Sequence, residues 1–332
     1  MNKPVTTLAD IAALAGVTPA TVSRVLSGHP RISEATRGRV MEIATQHDFR
    51  PNQTARNLRL GRTHAIAAVV PLGHQSAQRV SDPFYTTLIG QLMDELARRN
   101  HAMLLSAVAP SDGGWLSEIA RSGRADGIIV LCQSDQDAVL RDAARTYRPL
   151  VVWGETQDEP YCCVGTDNLL GGKASARHLL EGGRRCIAFA GMMDTPELVA
   201  RYEGYLEAHR EFDVEPGPHI PVPFAFEAQA RDLYTALDRY PSIDGIVAAS
   251  DMIAMKALHE LSERGRSVPG DVAVIGYDDV TVAAHTVPPL TTIRQDLTLA
   301  ASLMVDLLFR RMQGEDAPSV QIQPTVIKRE SA

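Results

Sequence analysis

The chain lacks any uninterrupted apolar run of the roughly 18 residues that a membrane-spanning helix needs, so no span is expected. It also lacks an apolar export core near the start, where Met1 to Ala9 runs straight into Asp10, and a cytoplasmic protein is expected. Cysteine is scarce: the four present, Cys132, Cys162, Cys163 and Cys186, show no Cys-x-x-Cys spacing and sit in apolar runs. They read as buried, inert thiols, with no metal, redox centre or other cofactor implied. There is no phosphate loop, no dinucleotide glycine fingerprint after the first strand, no His-x-x-x-His pair and no Gly-x-Ser-x-Gly elbow. An enzyme is therefore not expected; such a reading would have to rest on Asp278, Asp279 or His285.

What is present is ordinary globular material, 332 residues with 45% apolar and 22% charged, enough for about two domains. Charge is unevenly placed. Residues 1–62 carry nine Lys/Arg against four Asp/Glu, a net +5, whereas the whole chain is −7. A small basic head on a large acidic body is the pattern of a module that meets phosphate joined to one that repels it.

Hydrophobic periodicity separates the same two regions. Up to residue 50 it is helical, with Leu8, Ile11, Ala12 and Ala15, then Val22, Val25 and Leu26, then Val40, Ile43 and Ala44, which fits three short helices. From His64 onward, short runs rich in β-branched residues alternate with helical stretches such as Ile89–Arg99. The runs are Ala65–Val70, Met103–Val108, Gly127–Leu131, Leu150–Trp153, Ile187–Ala190, Gly245–Ala249 and Val272–Ile275. That alternation predicts βαβ units and parallel sheets. Ala125-Asp-Gly-Ile-Ile-Val130 recurs as Ile243-Asp-Gly-Ile-Val-Ala248, a faint internal echo that two similar lobes would explain. Because ligands of doubly wound sheets lie at the carboxyl ends of strands, a two-lobed body predicts a cleft lined by strand ends from both sides.

Within the head, Thr7-Leu-Ala-Asp10 is a capping box, Gly16 can take the left-handed turn conformation, and Thr18-Pro19 is a cap followed by proline at the first helical position. Helix, glycine turn and helix in about 20 residues is a helix-turn-helix layout, although an αα-hairpin packed on another element fits the same pattern. With Val22, Val25 and Leu26 turned inward, the second helix presents Pro19, Ala20, Thr21, Ser23 and Arg24. Asn52–Arg59 is a cap and a helical segment shorter than the ~12–15 residues an isolated helix needs in water, so it is expected to order only against a partner. A plain polar linker is the alternative.

The segments Thr7–Gly28 (TLADIAALAGVTPATVSRVLSG), Arg50–Leu58 (RPNQTARNL), Gly276-Tyr-Asp-Asp279 and Pro288-Pro-Leu-Thr-Thr-Ile293, in this order, resemble the LacI/GalR family of bacterial repressors over nearly the whole chain. The resemblance implies a small all-α helix-turn-helix head (1–50), a hinge helix and linker (51–63) and a two-lobed α/β body with parallel sheets, like a periplasmic binding protein (64–332). It implies that Arg24 donates to guanine in the major groove, that Pro19 and Ala20 touch base edges, and that Thr21 and Ser23 bond phosphates, with Thr7 and Thr18 in the same DNA-facing set. It also implies that hinge helices from two subunits pair in the minor groove. There Asn52 is the cap, Ala55 permits close approach and Leu58 wedges between base steps. The implied partner is double-stranded DNA with a pseudo-palindromic operator, read by a homodimer. No leucine heptad follows Val326–Arg329, so no tetramerising tail is expected.

For the body, the resemblance sets Phe84 and Tyr85, in Asp82-Pro-Phe-Tyr85, beside a small effector. It aligns Arg201 and Asp278 with ligand-binding residues, and Thr195, Ser250 and Gln295 join them as candidates. Trp153 ends the run Leu150–Trp153 and reads either as a platform for a sugar ring or as core filling. The expected function is a sequence-specific repressor of carbohydrate-utilisation genes whose operator affinity is changed by a sugar-like effector. The alternatives are a repressor answering to a purine or another non-sugar, and a periplasmic-type sugar-binding protein. The last lacks such a head and needs an export signal.

Overall fold

The computed structural model describes residues 5–49, 62–72, 80–108, 114–156, 160–223 and 226–332, with the side chains of residues 226–232 left aside. The chain divides into two compact units, Met1–Thr63 and His64–Ala332.

Among its described residues the first unit has three helices, α1 (Leu8–Ala15), α2 (Pro19–Leu26) and α3 (Glu34–Gln46). Each begins where a hydroxyl can serve an orphan backbone N–H. The Asp10 N–H donates to Thr7 Oγ1 (3.2 Å) while the Thr7 N–H donates to Asp10 Oδ2 (2.9 Å), and Thr18 and Ser33 cap the next two helices. Gly16, at φ +63°, closes α1 in the left-handed region that a side chain would resist. Ile11, Ala12, Ala15, Val22, Val25 and Val40 form the core, with Leu26 and Ile43 partly buried against it. The expected hinge segment, with Asn52, Ala55 and Leu58, lies outside the described residues.

The second unit holds two six-stranded sheets. One contains β1 (Ala65–Pro71), β2 (Ala102–Val108), β3 (Gly127–Leu131), β4 (Leu150–Trp153), β5 (Cys162–Thr166) and β11 (Val320–Ile322), in the order β11-β5-β4-β3-β1-β2, with every described pairing parallel. The other contains β6 (Ile187–Ala190), β7 (His219–Ile220), β8 (Gly245–Ala248), β9 (Ala273–Asp278), β10 (Thr291–Arg294) and β12 (Thr325–Ile327), in the order β12-β10-β9-β8-β6-β7. Among the described pairings there, that of β12 with β10 alone is antiparallel. β1, β3, β4, β6 and β8 are buried along their whole length because helices cover both faces, which is why they read as continuous apolar runs rather than alternating ones.

Helices α4 (Pro83–Arg98), α5 (Trp115–Arg121), α6 (Asp137–Thr146) and α11 (Leu297–Met312) pack on the first sheet. Helices α7 (Asn168–Glu181), α8 (Pro196–Glu211), α9 (Phe226–Arg239) and α10 (Asp251–Glu263) pack on the second. The chain crosses between lobes three times: from β5 into α7, from β10 into α11, and from β11 to β12. The sequence echo has a structural counterpart, since β3 and β8 hold the same place in their respective sheets.

Helices α7 and α8 approach with almost no side chain between them. A Cβ at Gly172 would lie 1.9 Å from the Arg201 carbonyl oxygen, and one at Gly204 would lie 1.9 Å from that of Leu169. Glycine is what allows Arg201 to sit this close to the lobe crossover.

Candidate functional site

A cavity lies between the lobes, with about 730 Å³ of empty space that includes open solvent at its mouth. It brings together all eight body candidates from the sequence: Phe84, Tyr85, Trp153, Thr195, Arg201, Ser250, Asp278 and Gln295. They come from equivalent places in both lobes. Trp153 is the last residue of β4 and Asp278 the last of β9, Gln295 follows β10, and Thr195 and Ser250 cap the helices that follow β6 and β8. Strand ends and helix N-termini thus face one another, as doubly wound sheets dictate.

The aromatic wall belongs to the first lobe. Trp153 packs in that lobe's core and also lines the cavity. Phe84 lies 6.1 Å from it and 5.4 Å from Tyr85, edge-on to the latter. Burial pushes the Tyr85 phenol well above its usual range, so it remains a neutral group.

Arg201 is buried, and two of its nitrogens are already committed. Nε donates to Asn168 Oδ1 (2.9 Å), Nη1 donates to the Ala249 carbonyl (2.6 Å), and the guanidinium lies 3.6 Å over the Tyr277 ring. The cavity therefore does not meet a wholly free Arg201 fork. Asn168 Nδ2 also donates to Glu155 Oε2 (2.9 Å), and Glu155 exchanges backbone hydrogen bonds with the Gln133 amide. Arg201 in the second lobe is thereby tied through the crossover residue Asn168 to the first.

Asp278 sits at φ +118°, a conformation that a non-glycine residue adopts only when its surroundings enforce it. Gln295 Nε2 donates to its Oδ1 (2.7 Å). Burial pushes this carboxyl well above the usual range, Arg201 pulls the other way, and the Asp251 and Asp82 carboxylates push it up again. Neighbouring Asp279 has a different task, ion-paired to Arg294 (2.7 Å) and Arg329 (2.5 Å). Behind the cavity wall, Asp251 accepts from the Thr292 hydroxyl (2.5 Å) and the Val280 N–H (2.8 Å), and burial pushes its carboxyl up to about 7. His285 is exposed in a short 3-10 helix and does not line the cavity.

The cavity also has walls that the sequence reading did not single out: Asp82, Cys132, Ser134, Glu197 and Leu198. Asp82 opens the Asp82-Pro-Phe-Tyr85 motif and caps the helix that follows; its Oδ1 accepts the Phe84 N–H (2.9 Å), and burial pushes its carboxyl up. Glu197 follows Pro196 in the first turn of α8, where a carboxylate is ordinary helix chemistry, and nothing in the sequence turns it toward a ligand. Cys132 corrects the expectation of four fully buried thiols. It follows β3 at φ +90°, lines the cavity and is only partly buried, as is Cys186. Burial nevertheless pushes the Cys132 thiol up, which keeps it protonated and unreactive.

In the first unit, α2 shows Pro19, Ala20 and Arg24 exposed and Thr21 and Ser23 half-exposed, while Val22 and Val25 face the core. The Thr18 and Thr21 hydroxyls are 3.0 Å apart and the Thr21 N–H donates to Thr18 Oγ1 (3.2 Å), so both hydroxyls are held at the start of the helix. The Thr7 hydroxyl is engaged by Asp10 (2.7 Å). One face of α2 is thus left with short side chains and one long cation, a shape that enters a major groove. No helix among the described residues is long and apolar enough to cross a membrane.

Comparison with known proteins matches residues 7–52 to the bacterial regulatory proteins of the lacI family and residues 176–332 to a periplasmic binding protein-like domain. The chain is 33% identical over 327 residues to the HTH-type transcriptional regulator CelR of Thermobifida fusca, covering 95% of this chain and 94% of that protein. It superposes on the solved complex of the transcriptional regulator CelR with cellobiose, with a TM-score of 0.71, 31% identity and coverage of 98% and 99%. A Lac repressor dimer bound to operator and the anti-inducer ONPF has the same fold, with a TM-score of 0.86, 23% identity and coverage of 99% of each chain.

Proposed function

Because the chain belongs to the lacI family of bacterial regulatory proteins, a kinship running through 95% of its length, we propose that it is a transcriptional repressor in which a sugar-like molecule between the lobes sets the affinity of the head for an operator. The observation that carries this reading is the convergence of eight candidate side chains, drawn from both lobes, on one cavity at the strand ends. A ligand bridging them contacts Asp278 and Arg201 of the second lobe and Trp153 and Phe84 of the first, so the relative position of the lobes becomes part of its binding energy. That the CelR relative is solved with cellobiose supports a sugar in this space.

On the DNA side, Arg24 supplies the guanine contact from the exposed face of α2, Thr21 and Ser23 serve phosphates, and Pro19 and Ala20 lie against base edges. The chain acts as a homodimer on a pseudo-palindromic site, with Asn52, Ala55 and Leu58 forming the hinge. The cavity is read as a binding site, in keeping with the transcriptional regulators the chain resembles.

The two sites need a coupling of only about 1–3 kcal/mol to change operator occupancy 5- to 150-fold, and linkage makes it reciprocal. Calorimetric titration of the full chain with cellobiose and simple hexoses, alone and saturated with operator, is the test. Sugar affinity should differ between the two by the same factor as operator affinity does with and without sugar. Equal affinities in both states would end the reading.

A further inference from the structure

We propose that the ligand of this cavity carries a protonated amine on its polyhydroxylated ring, making it an amino sugar rather than a neutral sugar or a sugar acid; this rests on the sugar-like reading above and narrows it. The cavity is lined by three carboxyl groups, Asp82, Glu197 and Asp278, against one guanidinium, and Arg201 already serves Asn168 and the Ala249 carbonyl. Among the described lining residues a single guanidinium, partly occupied by neutral acceptors, stands against three acidic side chains, so the lining as a whole disfavours an anionic ligand.

Glu197 adds an independent observation. It is only 7% exposed, lines the cavity, and its Oε2 has no hydrogen-bond partner among the described residues, while Oε1 meets only the Cys132 thiol at 3.7 Å. A buried carboxylate oxygen without a donor is costly and is retained where a ligand completes it. The donor that best matches it is an ammonium, with three N–H groups and a full charge, where a hydroxyl offers one O–H donor and no charge. The opposite wall suits the same ligand, since the Trp153 and Phe84 rings accept both the apolar face of a pyranose and a nearby cation. Asp82 and Asp278, which burial pushes toward the neutral form, are returned to carboxylates by a cation between them, so the whole acidic lining favours it.

The test uses the full chain and matched pairs in calorimetry: glucose against glucosamine, and cellobiose against the β-1,4 disaccharide of glucosamine, with gluconate as the acid. The amine member of at least one pair should bind about tenfold tighter or more than its neutral partner, with no binding of gluconate. In a Glu197→Gln variant that melts within a few degrees of the parent, that preference should collapse to near unity. Equal or tighter binding of the neutral members, or a preference that survives Glu197→Gln, overturns the amine while leaving the sugar reading in place. Absence of binding by all the probes overturns both.

Discussion

Placing a methyl group at Gly172 tests how the crossover holds the site. Glycine inside a helix is worth about 1 kcal/mol less than alanine, so on propensity alone Gly172→Ala should stabilise α7. The structure predicts the opposite sign. The new Cβ would lie 1.9 Å from the Arg201 carbonyl oxygen, while ordinary contact begins near 3.4 Å, so α7 and α8 must separate by roughly 1.5 Å. That atom is backbone and cannot swing aside. Overpacking of this kind costs typically 1–3 kcal/mol, more than the propensity gain. For a body of this size each kcal/mol is about 2–4 °C in Tm, so a loss of several degrees is expected. The separation also displaces Arg201 from Asn168 and Ala249, so sugar affinity should fall with it. Gly90 on α4 supplies the matched control, because its Cβ would meet nothing within 4 Å; Gly90→Ala should raise Tm by up to a few degrees. Melting curves of both variants with and without sugar decide the matter. If Gly172→Ala melts at or above the parent temperature, the tight helix contact has been misjudged.

Three further outcomes are expected. Burial lowers the pKa of His209, whose Nδ1 meets the Tyr205 carbonyl at 2.9 Å and whose Nε2 finds no partner among the described residues. Protonation then favours the unfolded chain, so stability is full above about pH 6.5 and declines below it; urea titrations should show a shallower decline in His209→Gln. Asp278 is shifted the other way. Its ionisation favours the unfolded chain, and the contribution it makes in acid is lost as pH rises from 3.8 through its raised folded value. At pH 8 the empty Asp278→Asn protein should therefore melt higher than the parent yet bind sugar more weakly, and a lower melting point would contradict the assigned cause. Arg24→Ala should weaken specific operator binding by about 1–3 kcal/mol while changing affinity for random DNA much less, which competition gel shifts can separate.

The head was legible down to single residues because its signals are local: the Thr7 box, Gly16 and Thr18-Pro19 each act within one turn of helix. The central strands were legible because burial on both faces leaves an unbroken apolar run. Strands β5 and β10 were not read as strands because their buried residues include polar ones. The buried hydroxyls of Thr291 and Thr292 are satisfied by the Arg329 N–H and by Asp251, from distant parts of the chain, and spacing carries no trace of such partners. The same limit applies to the cavity. Motifs marked Asp278 and Arg201, but whether the Arg201 fork is free depends on Asn168 and Ala249, which only folding brings to it. Glu197 was invisible for a related reason, since an acid after proline at a helix start needs no ligand to explain it.

Residues 320–332 supply β11 to one sheet and β12 to the other, and Ser331 is locked in place by hydrogen bonds with Thr291 and Val274. Neither lobe is a contiguous stretch of gene. During synthesis both must wait, unfinished at one edge, until residues 320–327 have been made. Cutting there would damage the two halves together, so these lobes can be neither expressed apart nor exchanged singly between relatives by a simple splice.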